Sequence, residues 1–214
     1  INAYNYIIRG GNIMSVKNKG NSVSNQSKLW MENALLKLMQ TENYHEITIQ
    51  EITDNAGLSR RTFYRNYFSK DEILEGCFYK IWLEYESIIR KQIDLTLPNI
   101  ARIFFSVMKK HSDFLSLINR HQLLPLFLSK VDELLPPAFD EVKGEKMPFP
   151  KENIQYALTF STGGFMRILI RWLNDSTQKS PEEMAKVVKD FVSICNYSNP
   201  INKRISHETR FNEE

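Results

Sequence analysis

The chain is predicted to fold as an all-α protein, with a small N-terminal three-helix domain and a larger helical C-terminal domain. Three observations predict this class. Apolar residues recur at helical spacing over most of the 214 residues, polar caps and prolines stand where helices would begin, and no run shows the alternation typical of strands. A chain of this length can bury a sizeable core.

The first 27 residues are rich in Asn, Ser and Gly and show no helical period. They are expected to form a disordered polar leader, or to include residues of an expression tag. The first helix is expected from Lys28 to Gln40, with Trp30, Leu35 and Leu38 among its apolar residues.

A second helix is expected from Thr48 to about Ala56. Thr48 with Glu51 three residues later can form a capping box, which satisfies amide N–H groups at the start of a helix. Gly57 would end this helix, because glycine adopts the left-handed conformation at a helix C-terminus without strain.

Ser59 can cap a third helix that ends near Asn66, and Ser69 with Glu72 can cap a fourth that begins at Lys70. Two short helices joined by a glycine turn predict a helix-turn-helix, with the helix after Ser59 as the recognition helix. The apolar residues expected to share its core are Ile49, Ile52, Ala56, Leu58, Phe63, Phe68 and Leu74.

The stretch from Leu58 to Lys70 is locally basic. It contains Arg60, Arg61, Arg65 and Lys70 and no acid, whereas the whole chain has a formal net charge of only +3. A basic patch on a nearly balanced protein is typical of a nucleic-acid contact surface.

A plain helical hairpin with a solvated basic face would explain the same charges. Tyr64 and Tyr67, which flank Arg65, favour the nucleic-acid interpretation, because phenols that served only the core would not be expected beside so many cations.

The motifs of this region resemble the DNA-binding signature of the TetR family of bacterial transcriptional regulators. They are the runs Ala56-Gly57-Leu58-Ser59, Thr62-Phe63-Tyr64, Tyr67-Phe68 and Lys70-Asp71-Glu72. The resemblance covers roughly residues 28 to 75. A weaker one, from Phe160 to Phe191, is to the C-terminal regions of a Firmicutes-type subgroup.

The resemblance implies a role for each matching residue. Arg60, Arg61 and Thr62 would face the bases, where an arginine on a guanine edge makes the commonest specific contact. Either arginine could instead bind a phosphate, and Arg61 stands where many relatives carry a small residue. The complete set implied to contact DNA is Thr48, Ser59, Arg60, Arg61, Thr62, Tyr64, Arg65, Tyr67 and Lys70.

Phosphate contacts are implied for Thr48, Tyr64, Tyr67 and Lys70, and Thr48 would be aided by the dipole of its helix. Ser59 would act as a cap alone or as a cap that also contacts a phosphate. Phe63 and Phe68 would belong to the core.

The remainder of the chain is predicted to be helical. Helices are expected over Lys70 to about Gln92, from Pro98 through Met108, from Ser112 through Ile118 and over Leu123 to Leu135, with a loop at Pro136-Pro137 and from Lys143 to Pro150. The expected division is 1–27 leader, 28–75 DNA-binding domain, 76–198 regulatory and dimerisation domain, and 199–214 loose tail.

The last two helices, from Lys151 to Asn174 and from Ser180 onward, are expected to form a four-helix bundle with a second copy. They could instead complete the core of a monomer. A two-fold dimer would read two half-sites, which compensates for the few contacts of one short recognition helix. The residues expected at the interface are Phe165, Ile168, Trp172, Met184, Val188 and Phe191.

A cavity for a small molecule is expected in the C-terminal domain, since the family usually holds one there. Its expected lining is Trp82, Tyr85, Phe104, Met108, Phe114, Phe127, Tyr156 and Phe160. A stripe of aromatic residues and Met at helical spacing could equally be core. The few charges in these stripes favour an apolar or aromatic effector, with Arg167 and Arg171 as the exception.

Other function classes lack sequence support. Cys77 and Cys195 lie far apart, the four histidines are scattered, and neither set suggests a metal or cofactor site. No carboxylate cluster or nucleophile with a base suggests an enzyme that acts on DNA. No apolar run is long enough for a membrane span.

The sequence therefore predicts a cytoplasmic, homodimeric regulator that binds a palindromic operator and responds to a ligand, most commonly as a repressor. The alternative is a regulator or activator that responds to a protein co-regulator.

Overall fold

The computed structural model of the protein describes residues 6–9, 12–15, 21–143 and 150–196. Within these ranges it contains nine helices and one strand pair, which confirms the all-α prediction for the body of the protein. The elements are β1 (Tyr6–Arg9), β2 (Asn12–Ser15), α1 (Asn21–Leu38), α2 (Ile49–Ala56), α3 (Arg60–Asn66), α4 (Lys70–Ile89), α5 (Leu97–Lys110), α6 (Ser112–Arg120), α7 (Leu124–Lys143), α8 (Lys151–Leu173) and α9 (Pro181–Asn196).

The prediction of a structureless leader is wrong for the described part of residues 1–27. Strands β1 and β2 pair antiparallel, with Tyr6 opposite Ser15 and Arg9 opposite Asn12. The sequence contains a signal for this pairing, because a Gly-Gly dipeptide separates two short runs that contain isoleucine. The expected tail from residue 199 lies outside the described residues.

Helix α1 begins seven positions before the expected Lys28. Its first turns are polar, but their side chains find partners. Ser27 is buried and donates to the carbonyl of Val23 at 2.9 Å, and Ser24 donates to Asn66 of α3 at 2.7 Å. The helix thus extends over residues whose apolar period gives no signal, and the contact of Ser24 with α3 holds this polar turn against the rest of the unit.

The described residues divide into two compact units, one ending at Cys77 and the other beginning at Phe78. In the first unit α1 packs against α2 and α3. Its core includes Leu35, Ile52, Phe63 and Leu74, all with no exposed surface.

Phe68 was expected in this core and is instead 86% exposed, whereas Phe63 is fully buried. Tyr67 takes the inward position, with its ring centroid 5.9 Å from that of Phe63. Its backbone is extended (φ −146°, ψ 146°), and successive side chains of an extended backbone point to opposite sides. Phe68 therefore points outward.

In the second unit α5 packs against α9, and α8 packs against α6 and α7. Phe105 is fully buried at the centre, and the ring centroid of Trp172 lies 5.5 Å from that of Phe105. The Trp172 indole N–H donates to the carbonyl of Lys179 at 2.8 Å. The two last helices are thus anchored on the protomer's own core.

Three residues that were expected at a dimer interface belong to this core. Trp172, Met184 and Val188 are buried within one chain. Helical period identifies an apolar face but does not say what covers it, and α5 covers this face of α9. Cys77 is also buried, whereas the side chain of Cys195 lies outside the described residues.

The loop expected at Pro136-Pro137 is absent, since α7 continues through both prolines to Lys143. Each proline removes one helical hydrogen bond. Leu135 and Phe139 flank the prolines and line the same cavity, so the apolar face continues across them. Of the second expected loop, residues 144–149 lie outside the described residues.

Among the described helices, none combines the length and the apolar composition that crossing a membrane requires.

The contrast between Phe63 and Phe68 gives a matched pair of substitutions. Phe63→Ala is expected to lower the free energy of unfolding by about 3–5 kcal/mol, because it leaves a cavity in the core. Phe68→Ala is expected to change it by less than about 0.5 kcal/mol. Chemical denaturation followed by circular dichroism measures both, and equal losses would contradict the outward position of Phe68.

Candidate nucleic-acid interface and cavity

The predicted caps of α2 are confirmed. The amide N–H of Glu51 donates to the hydroxyl of Thr48 at 3.2 Å, and the amide N–H of Thr48 donates to the Glu51 carboxylate at 2.7 Å. Gly57 ends the helix with φ 64°, a conformation that strains residues with a Cβ. This glycine sets the turn that leads into α3.

Ser59 caps α3 as expected. Its hydroxyl accepts the amide N–H of Thr62 at 3.1 Å, and the two hydroxyls lie 3.0 Å apart. At the other end, the Asn66 side chain donates to the carbonyl of Thr62 at 2.7 Å. Thr62 is therefore held by its own helix and is only half-exposed.

Helix α3 turns its basic side outward. Its inner side carries Phe63, whereas Arg60, Arg61, Tyr64 and Arg65 are exposed. These four positions span less than half of the helix circumference at 100° per residue. They form one surface with three cations, which we call the α3 face.

The arginines of the α3 face are not committed to carboxylates. Among the described residues none of Arg60, Arg61 and Arg65 forms an ion pair. Arg60 makes a long hydrogen bond of 3.5 Å to the hydroxyl of Tyr64, one turn along the helix, and its guanidinium lies 6.0 Å from the ring centroid. Their charge is thus available to an anionic partner.

Two residues expected to contact phosphate are engaged elsewhere. The Thr48 hydroxyl donates to the Glu51 carboxylate at 2.7 Å, which places a negative charge beside the helix N-terminus. Tyr67 is half-buried, and burial is the main cause that raises the pKa of its hydroxyl. Lys28 of α1 lies over the ring of Tyr67, with its ammonium 5.6 Å from the centroid.

Lys70 was also expected to hold a phosphate, and the structure gives its ammonium another role. It donates to the carbonyl oxygens of Ile47 at 2.7 Å, of His45 at 3.2 Å and of Tyr44. A lysine has three N–H donors, so all three hold the loop between α1 and α2. The ammonium also lies 4.5 Å from the ring centroid of Tyr44, whose hydroxyl bonds to Asp71.

The electrostatic surroundings of Lys70 agree with this enclosed position. Burial is the main cause that lowers the pKa of its ammonium, while Asp71 and Glu51 act in the opposite direction. We call Lys70 and the three carbonyl groups the Lys70 anchor. Sequence reasoning missed it, because backbone carbonyls leave no trace in the residue types.

The second unit contains an apolar cavity of about 430 Å³. Six of the eight residues expected there line it: Trp82, Tyr85, Phe104, Met108, Phe127 and Phe160. Phe114 instead packs with its ring centroid 5.5 Å from that of Phe78. Tyr156 is 79% exposed and does not line the cavity.

Charged residues at the cavity were not anticipated from the sequence. Arg90 lies 2.6 Å from Glu86 of the same helix and 2.7 Å from Glu141 of α7. Glu86 and Arg90 are also lining residues. The spacing of four residues between Glu86 and Arg90 on α4 was the sequence signal from which this ion pair could have been predicted.

Helix α8 leaves a continuous stripe uncovered. Tyr156 and Phe160 are 79% and 80% exposed, and the next turns expose Gly163, Gly164 and Arg167. Arg171 continues the stripe one turn further. A Cβ placed on either glycine would meet no atom within 4 Å. Nothing within the described protomer therefore requires glycine here. We call these residues the α8 stripe.

Within the described residues, His, Cys, Asp and Glu side chains form no group of three that could hold a metal ion.

Two family profiles match the chain. Residues 33–77 match the profile described as bacterial regulatory proteins, tetR family. Residues 95–193 match that of a transcriptional regulator C-terminal region, TetR_C_8. No curated protein matches the chain.

Solved structures share the fold. A TetR transcriptional regulator from Streptococcus agalactiae is similar with a TM-score of 0.53 and 21% sequence identity, over 78% of this chain and 94% of its own. Lin0861 from Listeria innocua is similar with a TM-score of 0.69 and 14% identity, over 86% of this chain and 97% of its own.

Replacing Lys70 tests the role of the anchor. Lys70→Met is expected to lower the free energy of unfolding by about 2 kcal/mol, since three carbonyl groups lose a charged donor. The exposed Lys37→Met serves as the control and should change it by less than about 0.5 kcal/mol. Denaturant titrations compare the two, and an unaffected stability in Lys70→Met would contradict the anchor.

Proposed function

Because the chain belongs to the TetR family of bacterial transcriptional regulators, we propose that it represses transcription as a homodimer that binds a palindromic DNA operator and responds to a small molecule. The α3 face carries this proposal. Three arginines that pair with no carboxylate among the described residues stand on the exposed side of a capped helix that follows a tight turn.

Base recognition is assigned to Arg60 and Arg61, which lie in the first turn of α3. The N-terminal residues of a recognition helix reach the base edges in the major groove. Arg65 lies at the other end of the same face and is assigned to the phosphates. Tyr64, exposed between them, can donate its hydroxyl to a phosphate while its ring supports Arg60.

The α8 stripe supports a two-fold dimer. Suppose that two copies of α8 cross antiparallel at Gly163-Gly164. Each residue then faces the residue of the other copy for which the two residue numbers sum to about 327. Arg167 would then face the partner's Phe160, and Arg171 would face the partner's Tyr156. An arginine over an aromatic ring is an attractive contact, and the two-fold axis makes each contact twice. The stripe is thus complementary to itself.

The cavity supports control by a small molecule rather than by a protein co-regulator, since a filled core would favour the latter. Phe160 connects the two functions, because it lines the cavity and is also part of the α8 stripe. A ligand that moves Phe160 would alter the dimer. A change of a few ångströms between two recognition helices prevents both from fitting successive grooves.

The operator assignment is tested by selecting bound DNA from a random pool. Wild-type protein should enrich a two-fold symmetric site. Arg60→Ala should lose preference at one position of each half-site, by about 1–3 kcal/mol. The exposed Lys189→Ala of α9 should leave the selected site unchanged. Enrichment of the same site by Arg60→Ala would overturn the assignment.

The dimer assignment is tested at Gly164. A Cβ at Gly164 would meet no described atom within 4 Å. Gly164→Leu should therefore favour the helix by roughly 0.5–1 kcal/mol, yet it would hold two crossing helices apart. Sedimentation velocity should therefore show a dimer for wild type and a monomer for Gly164→Leu. Gln178→Leu, equally exposed in the α8–α9 turn, is the control. A dimeric Gly164→Leu would place the interface elsewhere.

A further inference from the structure

Most polar groups at the cavity already have partners. The hydroxyl of Ser161 donates to the carbonyl of Ala157 at 2.8 Å, and that of Thr162 donates to Thr159 at 3.1 Å. The guanidinium of Arg90 is shared between Glu86 and Glu141. The two hydroxyls have thus each used their one donor, and the guanidinium already has carboxylate partners.

Trp82 and Tyr85 differ from the rest of the lining. They stand three residues apart on α4, on the same side of the helix, and their ring centroids are 5.9 Å apart. Trp82 is only 7% exposed. Across the part of the chain that the structure describes, no hydrogen bond reaches the indole N–H of Trp82 or the hydroxyl of Tyr85.

The Trp82 N–H is nevertheless not sealed inside the protein. No described side-chain nitrogen or oxygen is both fully buried and without a partner, so this nitrogen keeps some accessible surface. Trp82 lines the cavity, so the cavity is one place from which a partner can reach this N–H. Burial raises the pKa of the Tyr85 hydroxyl, which keeps its proton at neutral pH.

We propose that the cavity binds an uncharged, mainly apolar molecule with one hydrogen-bond acceptor, such as a carbonyl oxygen, and that Trp82 and Tyr85 donate to this acceptor. The inference rests on the proposed response to a small molecule and specifies its chemistry. An indole N–H can only donate, so the pair selects an acceptor. A ligand that covers these donors must also satisfy them, because a buried donor without a partner is costly.

The ion pairs explain why the ligand is uncharged. Arg90 is the sole cation among the described lining residues, and Glu86 and Glu141 more than balance its charge. A carboxylate in the cavity would find no cation without a carboxylate partner. A cation could meet only Glu86 of the described lining, whose carboxylate already pairs with Arg90, and it would otherwise leave water for an apolar lining, which is costly.

Four naphthalene derivatives of similar size test this chemistry. 2-Acetylnaphthalene carries a carbonyl oxygen, and 2-ethylnaphthalene has nearly the same shape without an acceptor. 2-Naphthoate and 2-naphthylmethylammonium carry a negative and a positive charge. Isothermal titration calorimetry on the full-length protein should give 2-acetylnaphthalene the highest affinity, at least about five-fold above 2-ethylnaphthalene, because each hydrogen bond contributes about five-fold.

The variants Tyr85→Phe and Trp82→Phe should bring the affinity ratio of the two neutral probes towards one. Binding of 2-ethylnaphthalene to Tyr85→Phe should stay close to wild type, because only a hydroxyl is removed. Tyr79→Phe, on the same helix but outside the cavity lining, should keep the wild-type ratio. The inference would be overturned if the affinity ratio of the two neutral probes stayed unchanged in both cavity variants. It would also be overturned if a charged probe bound more tightly, or if no probe bound.

Adding 2-acetylnaphthalene to the complex with the selected operator separates the two proposals. If the probe binds as expected and operator affinity stays constant, the proposed ligand chemistry is supported and the proposed response of DNA binding to a ligand is contradicted. If operator affinity responds equally to both neutral probes, the ligand response stands and the roles of Trp82 and Tyr85 fail.

Discussion

The geometry of the DNA-reading unit depends on one half-buried ammonium group, that of Lys70. The Lys70 anchor joins the first turn of α4 to the carbonyl groups of Tyr44, His45 and Ile47, in the loop that precedes α2. That loop ends at the Thr48 cap, so the start of α2 is fixed relative to α4. Gly57 and the Ser59 cap then leave α3 little freedom. The arginines of the α3 face are thus oriented by a lysine that does not itself need to contact DNA.

Local chemistry made much of this unit predictable from the sequence. The Thr48 and Ser59 caps and the Gly57 turn depend on residues within four positions of one another, and each lies where the sequence places it. The Lys70 anchor depends on carbonyl groups more than twenty residues away, which any sequence could supply. Phe68 shows the same limit, because its direction follows from the extended backbone of Tyr67 and not from its own hydrophobicity.

In the second unit, the apolar pattern of the sequence does not show which element covers each apolar helix face. Helical spacing marked Trp172, Met184 and Val188 as apolar, but only the packing of α5 shows that the protomer itself covers them. Among the described residues the α8 stripe is less apolar in sequence and is left uncovered, as is Phe191 of α9, which was also expected at the interface. Nothing among the described residues requires the two glycines of the stripe, whereas the close approach of a second helix, as in the proposed dimer, would require them.

The two prolines inside α7 have a consequence for how fast a ligand could exchange. By helix geometry they leave the carbonyls of Asp132 and Glu133 without their usual N–H partners, in a helix whose residues Leu135 and Phe139 form one wall of the cavity. The Arg90–Glu141 pair that holds this wall to α4 is largely exposed, and such pairs contribute little stability. Bending α7 outward at the prolines therefore breaks fewer hydrogen bonds than bending an uninterrupted helix would. The residence time of a ligand that leaves past α7 would depend on how easily this helix bends. Its affinity would depend on the contacts with Trp82 and Tyr85 of α4.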